Sequence, residues 1–278
     1  MAIRRFSEKR LTTEVLSRIR KTKNPRLKQV MTAYIKHLHA FVREVKPTPD
    51  EWMQGIQFLT ETGHWCTGKR QEFILMSDTL GVSMLVDALN YKASGGATQS
   101  TVLGPFHREN SPEFALGANV AKNAADGETC VVSGTVRDTA GRPVAGAKLD
   151  IWEGGADGLY DSQKGDDMNL RGVFRTDAAG RFHFRAVVPT FYPVPNDGPV
   201  GKMLVATGRH PMRPPHLHFW ITAPGYRPLI THLFRKGGKY LDSDAVFGVK
   251  PELIVDFKKG KDGVATASYD FVLMKVKK

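Results

Sequence analysis

Two histidines one residue apart, His216 and His218, lie in the run Arg213-Pro214-Pro215-His216-Leu217-His218-Phe219-Trp220-Ile221. The run reads as a strand, where side chains alternate between faces, so both imidazoles point the same way at a separation one metal ion can bridge. Leu217, Phe219 and Ile221 then point together into a core. A second pair, His37 and His39, provides an internal contrast. It sits in Lys28–Val42, where Val30 and Met31, Tyr34, Leu38, and Phe41 and Val42 recur at helical spacing. Helical residues two apart diverge by about 200° and cannot share one ion. The same pattern is therefore a candidate metal site on the strand and an ordinary feature on the helix.

Two histidines do not complete a catalytic metal site, so other donors matter. No H-E-x-x-H pair or acidic cluster of the zinc-protease kind occurs, and Asp197 and Asp242 show no ligand-like pairing. Two tyrosines stand in rigid loops of the kind that carries functional side chains. Tyr160 ends the glycine-rich run Trp152-Glu153-Gly154-Gly155-Ala156-Asp157-Gly158-Leu159-Tyr160. Tyr192 lies in Phe191-Tyr192-Pro193-Val194-Pro195-Asn196-Asp197-Gly198-Pro199-Val200-Gly201, stiffened by three prolines and two glycines. Phenolate is a hard anionic oxygen with a reference pKa near 10, so only a strongly Lewis-acidic ion displaces its proton. A ferric ion does so, whereas magnesium and calcium do not readily and zinc normally takes other donors. On the residues alone, either tyrosine reads more readily as a core or interface ring with a satisfied hydroxyl.

The elements that must position these side chains fall into two regimes. The first hundred or so residues are helical in pattern. Thr48-Pro49-Asp50-Glu51 is a capping box followed by Trp52, Ile56 and Leu59 on one face, and Phe73 to Asn90 continues with long apolar stretches. Ser94-Gly95-Gly96-Ala97 breaks this regime. After about residue 128 the period changes to two, with a hairpin expected at Thr176–Phe184 and strands at Val131–Val136, Ala147–Trp152, His216–Ala223, Leu229–Phe234, Leu253–Phe257 and Ala267–Val276. The expectation is an α+β chain: a helical region over residues 1–105 and a β-sandwich domain over residues 106–278.

With 278 residues and 41% apolar content, a substantial core is available. No apolar run is long enough to span a membrane. Met1–Arg10 has no apolar stretch after its basic residues, and Cys66 and Cys130 form no C-x-x-C, so a reduced, cytoplasmic protein is expected. The net charge of +12 raises nucleic-acid binding. However, the basic residues are spread from Arg4 to Lys278 without a recognition motif, so no nucleic-acid partner is expected. Gly198-Pro199-Val200-Gly201-Lys202-Met203 only imitates a phosphate loop, and no G-x-G-x-x-G is present, so neither flavin nor nicotinamide is indicated.

Three ordered motifs carry a family resemblance: Asp157-Gly158-Leu159-Tyr160-Asp161, Tyr192-Pro193-Val194-Pro195-Asn196-Asp197-Gly198-Pro199-Val200-Gly201 and Arg213-Pro214-Pro215-His216-Leu217-His218-Phe219. With them the chain resembles the intradiol ring-cleaving dioxygenases, in the catechol/hydroxyquinol 1,2-dioxygenase branch, over nearly its whole length. The resemblance implies one ferric ion, Fe(3+), per subunit, held by Tyr160, Tyr192, His216 and His218. It implies a small aromatic diol or triol and dioxygen as substrates, and a homodimer through the N-terminal helices, with lipid in an apolar tunnel as a family feature. Tyr192 would yield to substrate and act as base for one of its protons. Arg213 would stabilise negative charge developing on the ring, a surface arginine being the alternative reading. His232 would hold the metal-bound hydroxide, against a solvent-facing strand histidine.

Val102-Leu103-Gly104-Pro105-Phe106-His107 and Phe73–Gly81 resemble hydroxyquinol-type members more than simple catechol ones. That likeness places Leu75, Asp78, Leu103, Gly104, Pro105, Phe106, Val194 and Pro195 around the substrate ring. Asp78 would accept a hydrogen bond from a third hydroxyl, the alternative being a structural helix carboxylate. The implied activity is cleavage of hydroxyquinol to 3-hydroxy-cis,cis-muconate and maleylacetate. Catechol or chlorocatechol cleavage to muconates is the nearest alternative, and a non-catalytic β-sandwich binding module is the alternative of another class.

Overall fold

The period-two segments build two five-stranded sheets that share one core. The computed structural model describes residues 7–68, 70–123, 126–165, 167–261 and 263–276, so Arg4, Arg5, Lys278 and the opening of Met1–Arg10 lie outside the described residues. The chain divides into two compact units, Met1–Thr60 and Glu61–Lys278.

In the first unit, α1 (Glu8–Arg18) packs on α2 (Pro25–Val45). The Asn24 side chain caps α2 by accepting the Leu27 amide at 3.0 Å. His37 and His39 both lie on this helix; His37 is exposed, while His39 Nδ1 meets Thr12 Oγ1 at 2.9 Å. The capping box forms as read: Glu51 Oε2 accepts the Thr48 amide at 2.7 Å and Thr48 Oγ1 accepts the Glu51 amide at 3.2 Å, opening α3 (Pro49–His64). Along α2, Val30, Tyr34, Leu38, Phe41 and Val45 are all exposed.

In the second unit, the helical stretch from Phe73 to Asn90 is broken into α4 (Glu72–Thr79) and α5 (Val82–Asn90). Gly81, at φ 75°, supplies the left-handed residue that ends α4. The strands are β1 (Thr129–Asp138), β2 (Lys148–Trp152), β3 (Arg171–Arg175), β4 (Arg181–Val187), β5 (Tyr192–Pro193), β6 (Met212–Arg213), β7 (His216–Thr222), β8 (Leu229–Arg235), β9 (Ile254–Val255), β10 (Lys258–Lys259), β11 (Ala265–Ser268) and β12 (Phe271–Leu273). Two short helices, α6 (Asp161–Lys164) and α7 (Pro199–Ala206), interrupt them.

One sheet runs β10-β11-β1-β12, with β4 pairing the other side of β1; the second runs β3-β2-β7-β8-β9, and β5-β6 form a separate two-stranded ribbon. The core between the sheets includes Val132, Phe182, Phe184 and Phe271 from one and Leu149, Ile151, Leu217, Phe219 and Ile221 from the other. Alternation on β7 therefore buries Leu217, Phe219 and Ile221 inward, as read from the sequence, and turns His216 and His218 to the opposite face.

Asp138 closes the turn after β1: its carboxylate accepts the Ala140 amide at 2.9 Å, the Arg142 amide at 3.1 Å and Arg142 Nε at 2.9 Å. Arg142 beside it holds the Asp138 carboxyl down at about 2. A depressed carboxylate stabilises the fold above the unfolded pKa of about 3.9 and loses that contribution as pH falls through its folded value. Asp138→Asn is expected to lower Tm by a few degrees at pH 7, with the gap to the parent closing between about pH 4 and pH 2. Thermal unfolding across that window checks it; a gap independent of pH would exclude the charge as its source.

Candidate active site

The centre is built on the outward face of the second sheet, where pairing aligns a row of four side chains. Arg171 on β3 registers with Trp152 on β2, Trp152 with His218 on β7, and His218 with His232 on β8. Trp152 stacks on His218 at 4.6 Å between centroids and 16° between planes. His232 stands edge-on to the other side, with centroids 4.2 Å apart at 89°. His218 is thus gripped by both cross-strand neighbours.

Tyr160 enters from the loop after β2 and Tyr192 from β5. The two segments meet closely at Gly158, which has φ 76° and where a Cβ would sit 3.0 Å from that of Tyr192. Their hydroxyls lie 3.0 Å apart. Tyr160 Oη is 2.9 Å from His218 Nε2, Tyr192 Oη is 3.3 Å from His216 Nε2, and the two Nε2 atoms are 3.1 Å apart. Four donors therefore ring one point, and all four side chains are buried.

Local hydrogen bonds orient the ring. His216 Nδ1 lies 2.7 Å from Pro214 O. A carbonyl only accepts, so Nδ1 carries the proton and Nε2 presents its lone pair to the cluster. Burial, aided by the Arg213 charge, pushes the His216 pKa down to about 3, so the ring is neutral. Burial likewise drives His218 and His232 well below the ordinary histidine value. The same burial raises both phenols, Tyr160 strongly; for Tyr192 the nearby Arg213 charge opposes the rise.

Arg213 is buried rather than at the surface, and it pairs with Tyr192 across the β5–β6 ribbon. Its Nη1 is 3.1 Å from His216 Nε2 and 3.5 Å from Tyr192 Oη. On its other edge, Nε and Nη2 fork onto Asp244 at 3.1 and 3.2 Å. Burial pulls the guanidinium pKa down, but the Asp244 charge outweighs it and keeps Arg213 above its ordinary value. His232 is fully buried, so the solvent-facing alternative fails. Its Nε2 lies 2.7 Å from His218 Nδ1, the ring nitrogen that does not face the tyrosines, and its Nδ1 lies 2.9 Å from Thr101 Oγ1.

The other residues expected around the ring fall into two apolar groups. Leu75 and Val194 pack with Val102, Val200, Leu204 and Val246. Phe106 packs with Trp152, Tyr160 and Tyr192, with Leu103 against them. At Gly104 a Cβ would stand 3.4 Å from His218 Cε1, which places that backbone against the histidine. Pro105 and Pro195 are half-buried in the same two segments. Asp78 is buried on α4, where burial raises its pKa while Ser83 and Arg213 oppose the rise. The Tyr192 loop is tied down from α4: buried Glu72 accepts the Val200 amide at 3.1 Å and Arg70 Nε at 2.8 Å, and Arg70 Nη1 reaches Asp197 at 2.7 Å.

Trp152, Thr101, Asp244, Val246 and the Glu72 tie were not among the sequence candidates. Trp152 was within reach, since it ends a strand that must pair with the histidine strand. Asp244 lies in an irregular segment without periodicity, and nothing in its neighbourhood marks it.

The donor set suits a ferric ion. It offers two neutral imidazole nitrogens and two hard oxygens whose protons burial holds on, so only a strong Lewis acid converts them to phenolates. Among the described residues, the histidine trio His216, His218 and His232 is the one cluster of His, Cys, Asp or Glu side chains close enough to hold a metal.

Known proteins resemble this chain over nearly its whole length. A family model described as dioxygenase matches residues 102–275, and one described as catechol dioxygenase N terminus matches residues 24–98. The 6-chlorohydroxyquinol 1,2-dioxygenase of Cupriavidus pinatubonensis is 54% identical over 270 residues, covering 96% of this chain and 98% of the relative. A hydroxyquinol 1,2-dioxygenase of Rhizobium sp. is 50% identical, covering 92% of this chain and 88% of that protein. The crystal structure of hydroxyquinol 1,2-dioxygenase from Pseudomonas putida superposes with a TM-score of 0.90 at 48% identity, over 97% of this chain and 99% of the other. A non-catalytic binding module is thereby excluded, and the chain belongs to the intradiol ring-cleaving dioxygenases, most like their hydroxyquinol 1,2-dioxygenases.

Proposed function

We propose that this enzyme cleaves hydroxyquinol, 1,2,4-trihydroxybenzene, with dioxygen to 3-hydroxy-cis,cis-muconate, which tautomerises to maleylacetate, using one ferric ion held by Tyr160, Tyr192, His216 and His218. The observation that carries the reading is the closed ring of four donors at 2.9–3.3 Å, with the lone pair of His216 fixed toward it. When bound, the ferric ion supplies the Lewis acidity that holds adjacent substrate oxygens as anions and withdraws electron density from the ring.

The protein groups divide the remaining work. With His218 holding the ion through Nε2, its proton would lie on Nδ1 and be donated to His232 Nε2, and His232 would keep its own proton on Nδ1, toward Thr101 Oγ1. His232 therefore orients His218 from behind. Held as phenolate when the ion is bound, Tyr192 would be able to take a substrate hydroxyl proton on Oη, where burial favours the neutral phenol. Arg213, held charged by Asp244 and pointing Nη1 at the donors, stabilises negative charge developing on the substrate. Leu75, Leu103, Gly104, Pro105, Phe106, Val194 and Pro195 form the apolar walls that exclude water from the ring.

Asp78 selects the triol. Its buried carboxylate, already bonded to Ser83, accepts a further hydrogen bond from the third hydroxyl, and a substrate lacking that hydroxyl leaves it one donor short. A chlorinated hydroxyquinol, the substrate in the name of the Cupriavidus relative, keeps this hydroxyl and remains a substrate on the same argument. We assign residues 1–105 to assembly and to this side of the pocket, and residues 106–278 to the metal centre. A second copy of the chain covers the apolar stripe of α2, and the groove of about 580 Å³ beside Leu11, Leu38, Val42 and Pro47 has the character for an acyl chain. The unpaired Cys66 and Cys130 suit a reducing, cytoplasmic setting.

Three outcomes follow. Oxygen uptake with product identification should give one dioxygen per triol and maleylacetate, with lower kcat/KM on catechol and chlorocatechols; the purified protein should be reddish from phenolate-to-ferric charge transfer. Faster turnover of catechols would favour a catechol-type enzyme, and a colourless, iron-free active preparation would overturn the centre. Asp78→Ala is expected to lower kcat/KM on trihydroxybenzene by about 10²-fold or more while barely changing catechol turnover, and equal losses would remove its specificity role. Sedimentation should give about twice 30.8 kDa, shifting toward monomer in Tyr34→Lys/Phe41→Lys, whereas a monomeric parent at micromolar concentration would refute the dimer.

A further inference from the structure

The buried cation at the end of the cross-strand row has no part in the chemistry described so far. Arg171 on β3 is 1% exposed. Its Nε donates to Asp161 Oδ2 at 2.9 Å, and its Nη2 donates both to Asp161 Oδ1 and to the Phe106 carbonyl, the latter at 3.2 Å. Arg108 Nη1 also reaches Asp161 Oδ2, at 2.9 Å. Asp161 follows Tyr160 directly and begins α6, and the Tyr160 amide is fixed by Gln163 Oε1 at 2.9 Å. The Phe106 ring stacks on the Tyr160 ring with centroids 4.3 Å apart and planes 16° apart.

We infer that Arg171 is a positioning residue: one guanidinium clips the residue after Tyr160 to the backbone of Phe106 and so sets the offset of that stack, on which both the Tyr160 oxygen and one wall of the substrate pocket depend. The inference rests on the proposed ferric centre. Its distinguishing feature is the span, because a single planar fork takes both carboxylate oxygens and a carbonyl on a separate segment in one fixed geometry, which the point charge of an ammonium does not impose. Stability alone does not account for the pair, since apolar side chains of similar volume commonly replace a buried ion pair without loss. Tyr192 is held differently: it sits on a two-residue strand paired with Arg213, and its loop is tied further along, at Asp197 and Val200.

The test uses the full-length protein carrying Arg171→Lys, and separately the charge-free pair Arg171→Leu/Asp161→Leu, each compared with the parent. Expected in both are a shifted, broadened phenolate charge-transfer band, and iron loss to a chelator and KM for trihydroxybenzene raised by about 10–100-fold, with kcat reduced less. In the metal-free proteins the near-UV circular dichroism of the tyrosines should weaken, while Tm of the leucine pair stays near that of the parent. Variants that lose Tm but keep the band, the iron release rate, KM and the dichroism would show Arg171 to be merely structural and overturn the inference. A parent that holds no iron would instead overturn the ferric reading, and the dichroism of the metal-free variants would still decide whether Arg171 positions Tyr160.

Discussion

Alternation along β7 is the constraint on which the rest of the molecule depends. Leu217, Phe219 and Ile221 fill the space between the two sheets, where Phe219 meets Phe182, Phe184 and Phe271. Their burial fixes the register of the strand, since a slip of one residue would expose all three. His216 and His218 consequently have no choice of face. The metal-binding geometry is thus stabilised by apolar area it never touches, and pairing with β2 and β8 then supplies Trp152 and His232 to either side of His218.

The second organising feature is where charge is allowed. The donor ring itself contains neutral groups, and burial keeps them so. Two guanidinium–carboxylate pairs flank it, Arg213–Asp244 and Arg171–Asp161, each forked and each almost entirely buried. A lone buried cation would be costly, but a forked carboxylate keeps the charge and fixes its direction. Arg213 presents its remaining nitrogen to the site, whereas Arg171 presents its own to a backbone carbonyl. One chemical motif therefore holds a charge aimed at the donor ring in one place and ties two segments together in the other.

How much of this was legible in the chain follows from the range of each interaction. Strand alternation and helix capping are local, so the two faces of β7, the Thr48–Glu51 box and the contrast between the two His-x-His pairs could be read directly. Tyr160 and Tyr192 could be singled out as rigid loop residues, but their convergence is a contact between segments about thirty positions apart and needed the family pattern. The Phe73–Asn90 stretch shows the limit of periodicity: its apolar pattern runs on through Gly81, and only the left-handed turn there divides it. Asp244 and Thr101 act through single side chains on irregular backbone, where no period exists to reveal them.

Asp78 joins these points. A carboxylate on a helix face is ordinarily solvated, and here it is buried within electrostatic reach of the Arg213–Asp244 pair. Desolvation disfavours its charge, so the group gains most from a donor that arrives with the substrate. A third ring hydroxyl is such a donor, and catechol has none to offer. On the proposed reading the discrimination would need no extra contact from the metal side: the two adjacent oxygens common to every diol would meet the donor ring, and the helix would read the position that differs. With the donor ring on a sheet and Asp78 on a helix, the proposed function would place common chemistry and substrate choice on separate elements. One can therefore change while the other is kept.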